Sequence, residues 1–280
     1  MTDRTQAARL ARRHALSLLL VLTGLLMLAP VHWLFVTALQ PAGNAFSVPP
    51  DWLPDKVTFH NFSAVFDLIP YGEMILSSLK ITVTVTAGSL ITSALAAYAF
   101  ARLRFPGRDV IFFVLLAALM LPQQLTVIPT FILMRNLGLV DTHASVILPA
   151  LVNVLGIFLL RQFFLSIPPE LDEAARIDGA GHLRILFQVI LPLSGPALSA
   201  LAIFIFQLYW NDFFWPNIFL NSPGKMTLPV GLVALQGSQG GAPALVVFAA
   251  IAMIVAPVLV LFLFFQRALI ESVASSGLKG

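Results

Sequence analysis

The residues best able to take part in chemistry lie in a polar segment, residues 165–193, that interrupts an otherwise apolar chain. Pro168-Pro169 ends one element, and acidic side chains then fill a first helical turn, where they favour the positive end of the helix dipole. Gly179-Ala180-Gly181 turns the chain, and a short apolar helix from Leu183 to Ile190 follows. We predict two short helices joined by a glycine turn, too polar to span a membrane.

Two interpretations of this polar segment follow from its residues alone. The first is a docking helix that binds a partner protein. The second is an amphipathic helix that lies in the membrane interface. We call residues 165–193 the EAA segment, after the sequence Glu173-Ala174-Ala175 at its centre.

A second group of candidate residues consists of polar side chains inside apolar blocks. Polar groups within a membrane are costly and are often functional. Aromatic rings beside hydrogen-bonding groups suit sugars, whose apolar faces stack and whose hydroxyls need partners. Hydrogen bonding between helices is the competing interpretation. The candidates for a substrate pathway are Asn153, Gln207, Tyr209, Asn211 and Asp212.

Catalytic motifs are missing from the sequence. It contains no G-x-x-x-x-G-K-[ST] phosphate loop, H-E-x-x-H zinc motif or G-x-S-x-G nucleophile elbow. The five histidines are scattered without ligand spacing, and cysteine is absent. We therefore expect no enzymatic activity, no metal site and no cofactor bound by this chain, and an intramembrane enzyme is disfavoured.

The composition requires a membrane to position these residues. Hydrophobic residues make up 59% of the 280 residues and charged residues 10%, against about 25% charged in a soluble domain. Six apolar blocks each reach the roughly 20 residues that span a bilayer. The predicted fold is an all-α membrane protein with six transmembrane helices. Its predicted parts are the N-terminus (1–14), a first transmembrane helix (15–39), an external loop (40–72), a five-helix core (73–266) and a tail (267–280).

The first apolar block has an alternative interpretation. Arginines precede it, as they precede the apolar region of a cleaved signal peptide. At about 25 residues, however, residues 15–39 exceed the roughly 7–15 residues of a signal's apolar region. A transmembrane helix is the favoured interpretation.

Charge distribution predicts the orientation. With six spans, twelve of the sixteen Lys and Arg residues fall on the side that carries both termini and the EAA segment. An excess of Lys and Arg marks the cytoplasmic side. Because the basic residues lie between apolar runs, and not on one polar element, nucleic-acid binding is excluded. We predict cytoplasmic termini and an external connection at residues 221–242.

The EAA segment carries a recognisable spacing. After Glu173-Ala174-Ala175 come Gly179, an aliphatic residue at Val189 and then Leu191-Pro192. This pattern resembles the EAA loop of ABC importer permeases, in which isoleucine is usual at the position of Val189. Further segments resemble the carbohydrate-uptake branch, and in particular the second permease of maltose and glycerol-phosphate systems. They are residues 96–102, 105–108, 159–164, 210–213, 228–232 and 277–280.

The resemblance implies the transmembrane domain of a type I ABC importer in the prokaryotic plasma membrane. It implies a second permease, two ATPase subunits that carry ATP and Mg, an external solute-binding protein, a sugar substrate and surrounding lipid. It also implies that the EAA segment is a coupling helix that docks in a groove of the ATPase. The residues to which this coupling role is carried over are Glu173, Ala174, Ala175, Asp178, Gly179, Leu191 and Pro192.

Two other functions remain open at this point. One is an ABC permease for a non-sugar solute, such as a polyamine or a peptide. The other is an ion-coupled secondary transporter, for which internal repeats and several buried ionisable residues are typical. The sequence shows no such repeat, and Asp212 is the only convincing buried carboxylate candidate.

Overall fold

The computed structural model describes residues 2–41, 45–46, 49, 51–54, 56–237 and 241–277. All the regular elements in these ranges are helical, which confirms the predicted all-α fold. The helices are α1 (Thr2–Ala38), α2 (His60–Leu68), α3 (Tyr71–Arg102), α4 (Arg108–Ala118), α5 (Val127–Asn136), α6 (His143–Ala150), α7 (Val154–Ser166), α8 (Glu170–Ile177), α9 (His182–Ile185), α10 (Leu191–Leu193), α11 (Gly195–Trp210), α12 (Phe214–Phe219), α13 (Leu228–Gly237) and α14 (Ala244–Gly277).

Within the described ranges, three helical stretches are long and apolar enough to cross a membrane. They are Arg12–Ala38, Tyr71–Arg102 and His143–Ser166. Two bent helix pairs raise the number to five if each counts as one span: Arg108–Ala118 with Gln123–Asn136, bent by 98°, and His182–Leu193 with Gly195–Trp210, bent by 82°. Six spans therefore stay a prediction. The structure differs from the predicted continuous transmembrane helices because several of its helices break. It also forms α2 and α13 in stretches that the sequence indicated as external connections.

The chain divides into two compact units. One contains Met1–Ile69 and Leu232–Pro257. In it, the buried Asn61 amide donates to the carbonyl oxygens of Ala38 at 2.9 Å and Gln40 at 2.7 Å, and so ties α2 to the end of α1. The leucine side chains of α1 from Leu16 to Leu28 are exposed, as expected of a helix that contacts lipid.

The other unit contains Pro70–Gly231 and Val258–Gly280. Its core forms where α3 packs against α7 and α11, with buried residues such as Val85, Leu160 and Ile205. Small residues allow the close approach that membrane helices need, because their packing is not driven by water. A β-carbon added to Gly156 of α7 would lie 2.7 Å from the Ser93 hydroxyl oxygen of α3.

The break between α6 and α7 is satisfied by its neighbour α3. Pro149 lies in the last turn of α6, and the chain leaves the helix for residues 151–153. A break of this kind is tolerated in a membrane only if other groups satisfy the freed carbonyls. Three carbonyls at the break accept hydrogen bonds from α3 hydroxyls, which are Ser89 to Ala150, Thr92 to Leu151 and Ser93 to Asn153.

Candidate functional site

The EAA segment folds as two short helices joined by a glycine turn, as its sequence predicts. Gly179 adopts a φ of 80°, a left-handed conformation that glycine enters at little cost. Its N–H donates to the Arg176 carbonyl at 3.0 Å, and the N–H of Ala180 donates to the Ala175 carbonyl at 2.9 Å. This pair of bonds is a Schellman motif, which ends α8 sharply and satisfies its last carbonyls.

The two faces of α8 differ in what they contact. Ala175 is half-buried and packs against the core of its unit, whereas Glu173 and Ala174 are exposed. The Glu173 side chain forms no hydrogen bond or ion pair with any described residue. Asp178, at the C-cap of α8, is also exposed. The exposed face of α8 is therefore free to meet another molecule.

The remaining residues of the predicted docking set lie further along the segment. After α9, residues Leu186–Ile190 form one π-helical turn that leads into α10. Leu191 is half-buried against the core, and Pro192 is exposed. Leu191 thus anchors the segment, and only Pro192 is available at its surface.

A buried ion pair that sequence reasoning missed joins α8 to α3. Arg102 Nε lies 3.2 Å from Asp172 Oδ2, and both side chains are under 10% exposed. Arg102 Nη2 also donates to the Ile167 carbonyl at 2.8 Å. The Nε contact is not aligned as a hydrogen bond, and Asp172 Oδ1 has no hydrogen-bond partner in the described part of the chain, so charge attraction dominates the pair. Asp172 lies three residues before the inward-facing Ala175, which is the signal that could have indicated a buried, paired acid.

A cleft of about 740 Å³ runs beside α8. Glu173 and Asp172 contribute to one wall, and the turn between α3 and α4 forms another. Its basic lining residues are Arg102, Arg104, Arg108, Arg176 and His182. The surface around Glu173 is therefore of mixed charge, which suits a partner that carries both acidic and basic side chains.

The five predicted substrate residues do not form one site. Asn153 caps α7, because its Oδ1 accepts from the Gly156 N–H at 2.8 Å. Gln207, Asn211 and Asp212 line one open pocket of about 620 Å³, whereas Tyr209 lines a separate cavity.

Asn211 and Asp212 also have local structural roles. Asn211 Nδ2 donates to the Gln207 carbonyl at 2.8 Å, at the end of α11. Asp212 Oδ1 accepts from the N–H groups of Phe214 at 3.0 Å and Trp215 at 3.4 Å, and so starts α12. Asp212 Oδ2 is buried without a hydrogen-bond partner among the described residues.

A polar clamp centred on Asp141 is a second feature that sequence reasoning missed. Asp141 has a φ of 58°, and its Oδ1 accepts from the N–H groups of Asn221 and Ser222, both at 2.9 Å. Its Oδ2 accepts from the Ser222 hydroxyl and, at 2.9 Å, from Lys225 Nζ. The first part of the connection at 221–242 is therefore held in place.

Helix α3 holds the same stretch from a second direction. The Leu228 N–H donates to the Ser78 hydroxyl oxygen at 2.8 Å, at the start of α13. A β-carbon added to Gly224 would lie 2.0 Å from Glu73 Oε2. Residues 221–231 thus have little freedom to move independently of α3.

The Asp141 clamp is expected to persist in acid. Hydrogen bonds from the Ser222 hydroxyl and N–H, then from Lys225 and Asn221, hold the pKa of the Asp141 carboxyl well below its ordinary value of about 3.9. A lowered folded-state pKa contributes stability that is present above the ordinary pKa and is lost only as pH falls through the folded-state value. We predict equal amide exchange protection of Asn221 and Ser222 at pH 5 and pH 8, after correction for intrinsic rates.

Asp141→Asn should reduce that protection by about tenfold or more, because the amide is a weaker acceptor than the carboxylate. The matched control Asp67→Asn should leave the protection of Asn221 and Ser222 unchanged. Asp67 is exposed on α2 and forms no hydrogen bond or ion pair with a described residue. Protection in the natural chain that falls between pH 8 and pH 5 would contradict this account of the clamp.

Broken apolar helices beside cavities are typical of membrane transport proteins. Residues 88–275 match the family model described as "Binding-protein-dependent transport system inner membrane component". The chain belongs to this family.

Permease proteins of three transport systems match most of the chain. It is 38% identical, over 81% of each chain, to an arabinooligosaccharides transport system permease protein of Halalkalibacterium halodurans. It is 34% identical to an sn-glycerol-3-phosphate transport system permease protein of Yersinia pestis, over 91% of this chain and 95% of the relative. It is 35% identical to a diacetylchitobiose uptake system permease protein of Streptomyces coelicolor, over 91% and 85%.

Comparison with a solved structure agrees with the comparison of sequences. The fold matches the crystal structure of a bacterial ABC transporter involved in the import of the acidic polysaccharide alginate, with a TM-score of 0.78 and 26% identity. The match covers 90% of this chain and 94% of that one. The chain is thus a permease component of ABC transport systems and shares their fold.

Proposed function

We propose that this chain is one of two permease subunits in an ATP-driven importer of a sugar or sugar derivative. The observation that carries the proposal is the exposed face of α8, where Glu173 and Ala174 lie on a helix anchored to the core by Ala175 and Asp172. A helix held in this way is suited to receive force from a partner. The named relatives, two of which transport oligosaccharides, support the sugar class.

In the proposed complex, α8 docks on one of two ATPase subunits, which bind ATP and Mg. Glu173 offers its carboxylate to a basic residue of the ATPase groove, and Ala174 permits close contact. Closure of the ATPase pair moves α8, and the Arg102–Asp172 pair passes that movement to α3, as a rigid-body switch between two states. In this proposal both termini lie in the cytoplasm, and the Asp141 clamp lies outside, where it faces an external solute-binding protein.

The substrate pathway in this proposal follows the exposed pocket of α11. Gln207, Asn211 and Asp212 would face the second permease across the pathway, where amide and carboxylate groups can exchange hydrogen bonds with sugar hydroxyls. Asn153 remains in the set because it lies at a helix break, and many transporters form their substrate sites at such breaks. Its capping bond to Gly156 makes its part structural as well.

The test is uptake of labelled sugars into membrane vesicles that contain this chain, its second permease, the ATPase and the binding protein. Each component is omitted in turn, and an ion gradient replaces ATP in a parallel series. Uptake that needs ATP and every component supports the proposal. Uptake driven by the ion gradient without ATPase would replace it with a secondary transporter, and the unpartnered oxygen of Asp212 would then be the first group to change.

A further inference from the structure

A cavity of about 330 Å³ lies in the unit that contains Pro70–Gly231, and Tyr209 is the one predicted substrate residue among the described residues of its lining. It is separate from the pocket of Gln207, Asn211 and Asp212. The cavity is bounded by the 3₁₀ turn at Gln123–Thr126 and by α5, α6, α11 and α12. Its volume is at the lower end of the roughly 300–1,000 Å³ typical of small-molecule sites.

Helix breaks converge on this cavity. The 3₁₀ turn follows the break after α4, Val152 lies in the break between α6 and α7, and Tyr209 and Trp215 flank the break between α11 and α12. Irregular backbone at membrane depth is tolerated where it lines a cavity, and discontinuous helices form the binding sites of many transporters. The cavity therefore lies among helix breaks, where many transporters bind their ligands.

The polar groups of the lining are available to a ligand. The hydroxyls of Thr126, Thr130 and Ser145 each donate to a carbonyl of their own turn, which leaves their oxygens as acceptors. The Tyr209 hydroxyl and the Gln123 amide have no hydrogen-bond partner among the described residues. Donors and acceptors are thus both present.

An aromatic stack forms another part of the lining. The ring of Trp215 stacks on Phe219 with centroids 5.8 Å apart, and Phe219 stacks on Phe131 at 6.1 Å. The stack fixes the Trp215 ring, and both Trp215 and Phe219 line the cavity. A fixed aromatic face among hydroxyls suits a molecule with one apolar face and a hydroxylated edge.

None of the described residues that line the cavity is Lys, Arg, His, Asp or Glu. A phosphate or carboxylate in a low-dielectric cavity would need a positive partner, and an ammonium would need a negative one. The lining therefore favours an uncharged ligand over the charged solutes that some members of the family transport.

We propose that this cavity binds one uncharged sugar ring, with its apolar face on Trp215 and its hydroxyls bonded to Tyr209, Gln123 and the threonines. The site would give this permease a second sugar contact, beside the pocket of Gln207, Asn211 and Asp212. The proposal rests on the proposed importer function, because the transported sugar is the source of the ligand. It adds a selection step for neutral sugars within this chain.

The test uses the complete transporter reconstituted in membranes, without the binding protein. Tryptophan fluorescence is titrated with L-arabinose, D-glucose and N-acetylglucosamine, and with glycerol 3-phosphate as the charged comparison. We expect saturable quenching by at least one neutral sugar and none by glycerol 3-phosphate. Tyr209→Phe and Gln123→Leu should each raise the Kd by about tenfold, the effect of one lost hydrogen bond to a ligand.

Controls separate binding from folding and from transport. Neither Tyr209 nor Gln123 loses a described hydrogen bond on substitution, so both variants should fold, and Ser199→Ala removes a hydroxyl from α11 outside the cavity. Sugar binding that is absent, or unchanged in both variants, overturns the cavity site even where ATP-driven uptake is normal. Absence of ATP-driven uptake in the natural transporter would instead overturn the proposed function.

Discussion

Replacement of Glu173 by lysine should abolish ATP-driven uptake while leaving the chain folded. Glu173 is exposed and unpaired within the described residues, so its loss removes no described contact of the chain's own fold. In the proposed complex its carboxylate meets a basic residue of the ATPase. A lysine there places two positive charges together, and such a contact costs several kcal/mol. A cost of about 3 kcal/mol corresponds to a loss of more than a hundredfold in ATPase affinity.

The measurements are co-purification of the ATPase with the permease, and uptake in vesicles. The matched control is Glu170→Lys, which makes the same charge change in the first turn of the same exposed helix. Its effect on the helix dipole is similar, so a general loss of α8 would appear in both variants. Normal uptake and normal sugar-stimulated ATP hydrolysis in Glu173→Lys would remove the docking role from this residue.

The helical class of the fold was predictable because each membrane-spanning helix needs an apolar stretch as long as the bilayer core is thick. Helix α3 lies in one long, mostly apolar stretch, and a stretch of that length has few alternatives to a membrane span. The bends were not predictable in the same way. Pro122 lies at the 98° break of one helix pair, yet Pro257 lies inside α14, which continues through it. Whether a proline breaks a membrane helix depends on neighbours that can satisfy the freed groups.

In the candidate site too, local features were predictable and long-range contacts were not. The turn at Gly179 was predictable because a left-handed C-cap is a local property of a few residues. The pairs Arg102–Asp172 and Asp141–Lys225 join residues 70 and 84 positions apart, and one sequence has no local pattern for such contacts. Tyr209 was grouped with Gln207 and Asn211 by proximity in sequence. Residues two positions apart on an α-helix point about 200° apart, so Tyr209 lines a different cavity from Gln207.

Substitution of Asp172 by asparagine is the second change from which we expect a large effect. It leaves Arg102 charged, under 10% exposed, and without its acidic partner. Removal of one member of a buried ion pair typically costs about 3–5 kcal/mol, because the remaining charge is desolvated and uncompensated. We expect a lower thermal midpoint of the purified permease. We also expect little uptake, because α8 would lose its tether to the end of α3.

Stability and coupling can be separated by a double variant. Arg102→Met with Asp172→Leu removes both charges, and apolar replacement of a buried ion pair is often neutral or stabilising. This variant should recover the thermal midpoint and bind the ATPase. It should still hydrolyse ATP with little uptake, since the Nη2 bond to the Ile167 carbonyl and the ion pair are both gone. Glu170→Gln, which removes an exposed charge from the same helix, should behave as the natural chain.

The ratio of ATP hydrolysed to sugar imported is the informative quantity in this series. If the ion pair only stabilises the fold, that ratio in the double variant should equal the natural one once stability is restored. If the pair carries movement from α8 to α3, the ratio should rise by about tenfold or more while ATPase binding is retained, an uncoupling of about 1.4 kcal/mol or greater. A double variant that transports normally would leave Arg102 and Asp172 as structural residues and would shift the search for the mechanical link to the packing of Ala175 and Leu191 on the core.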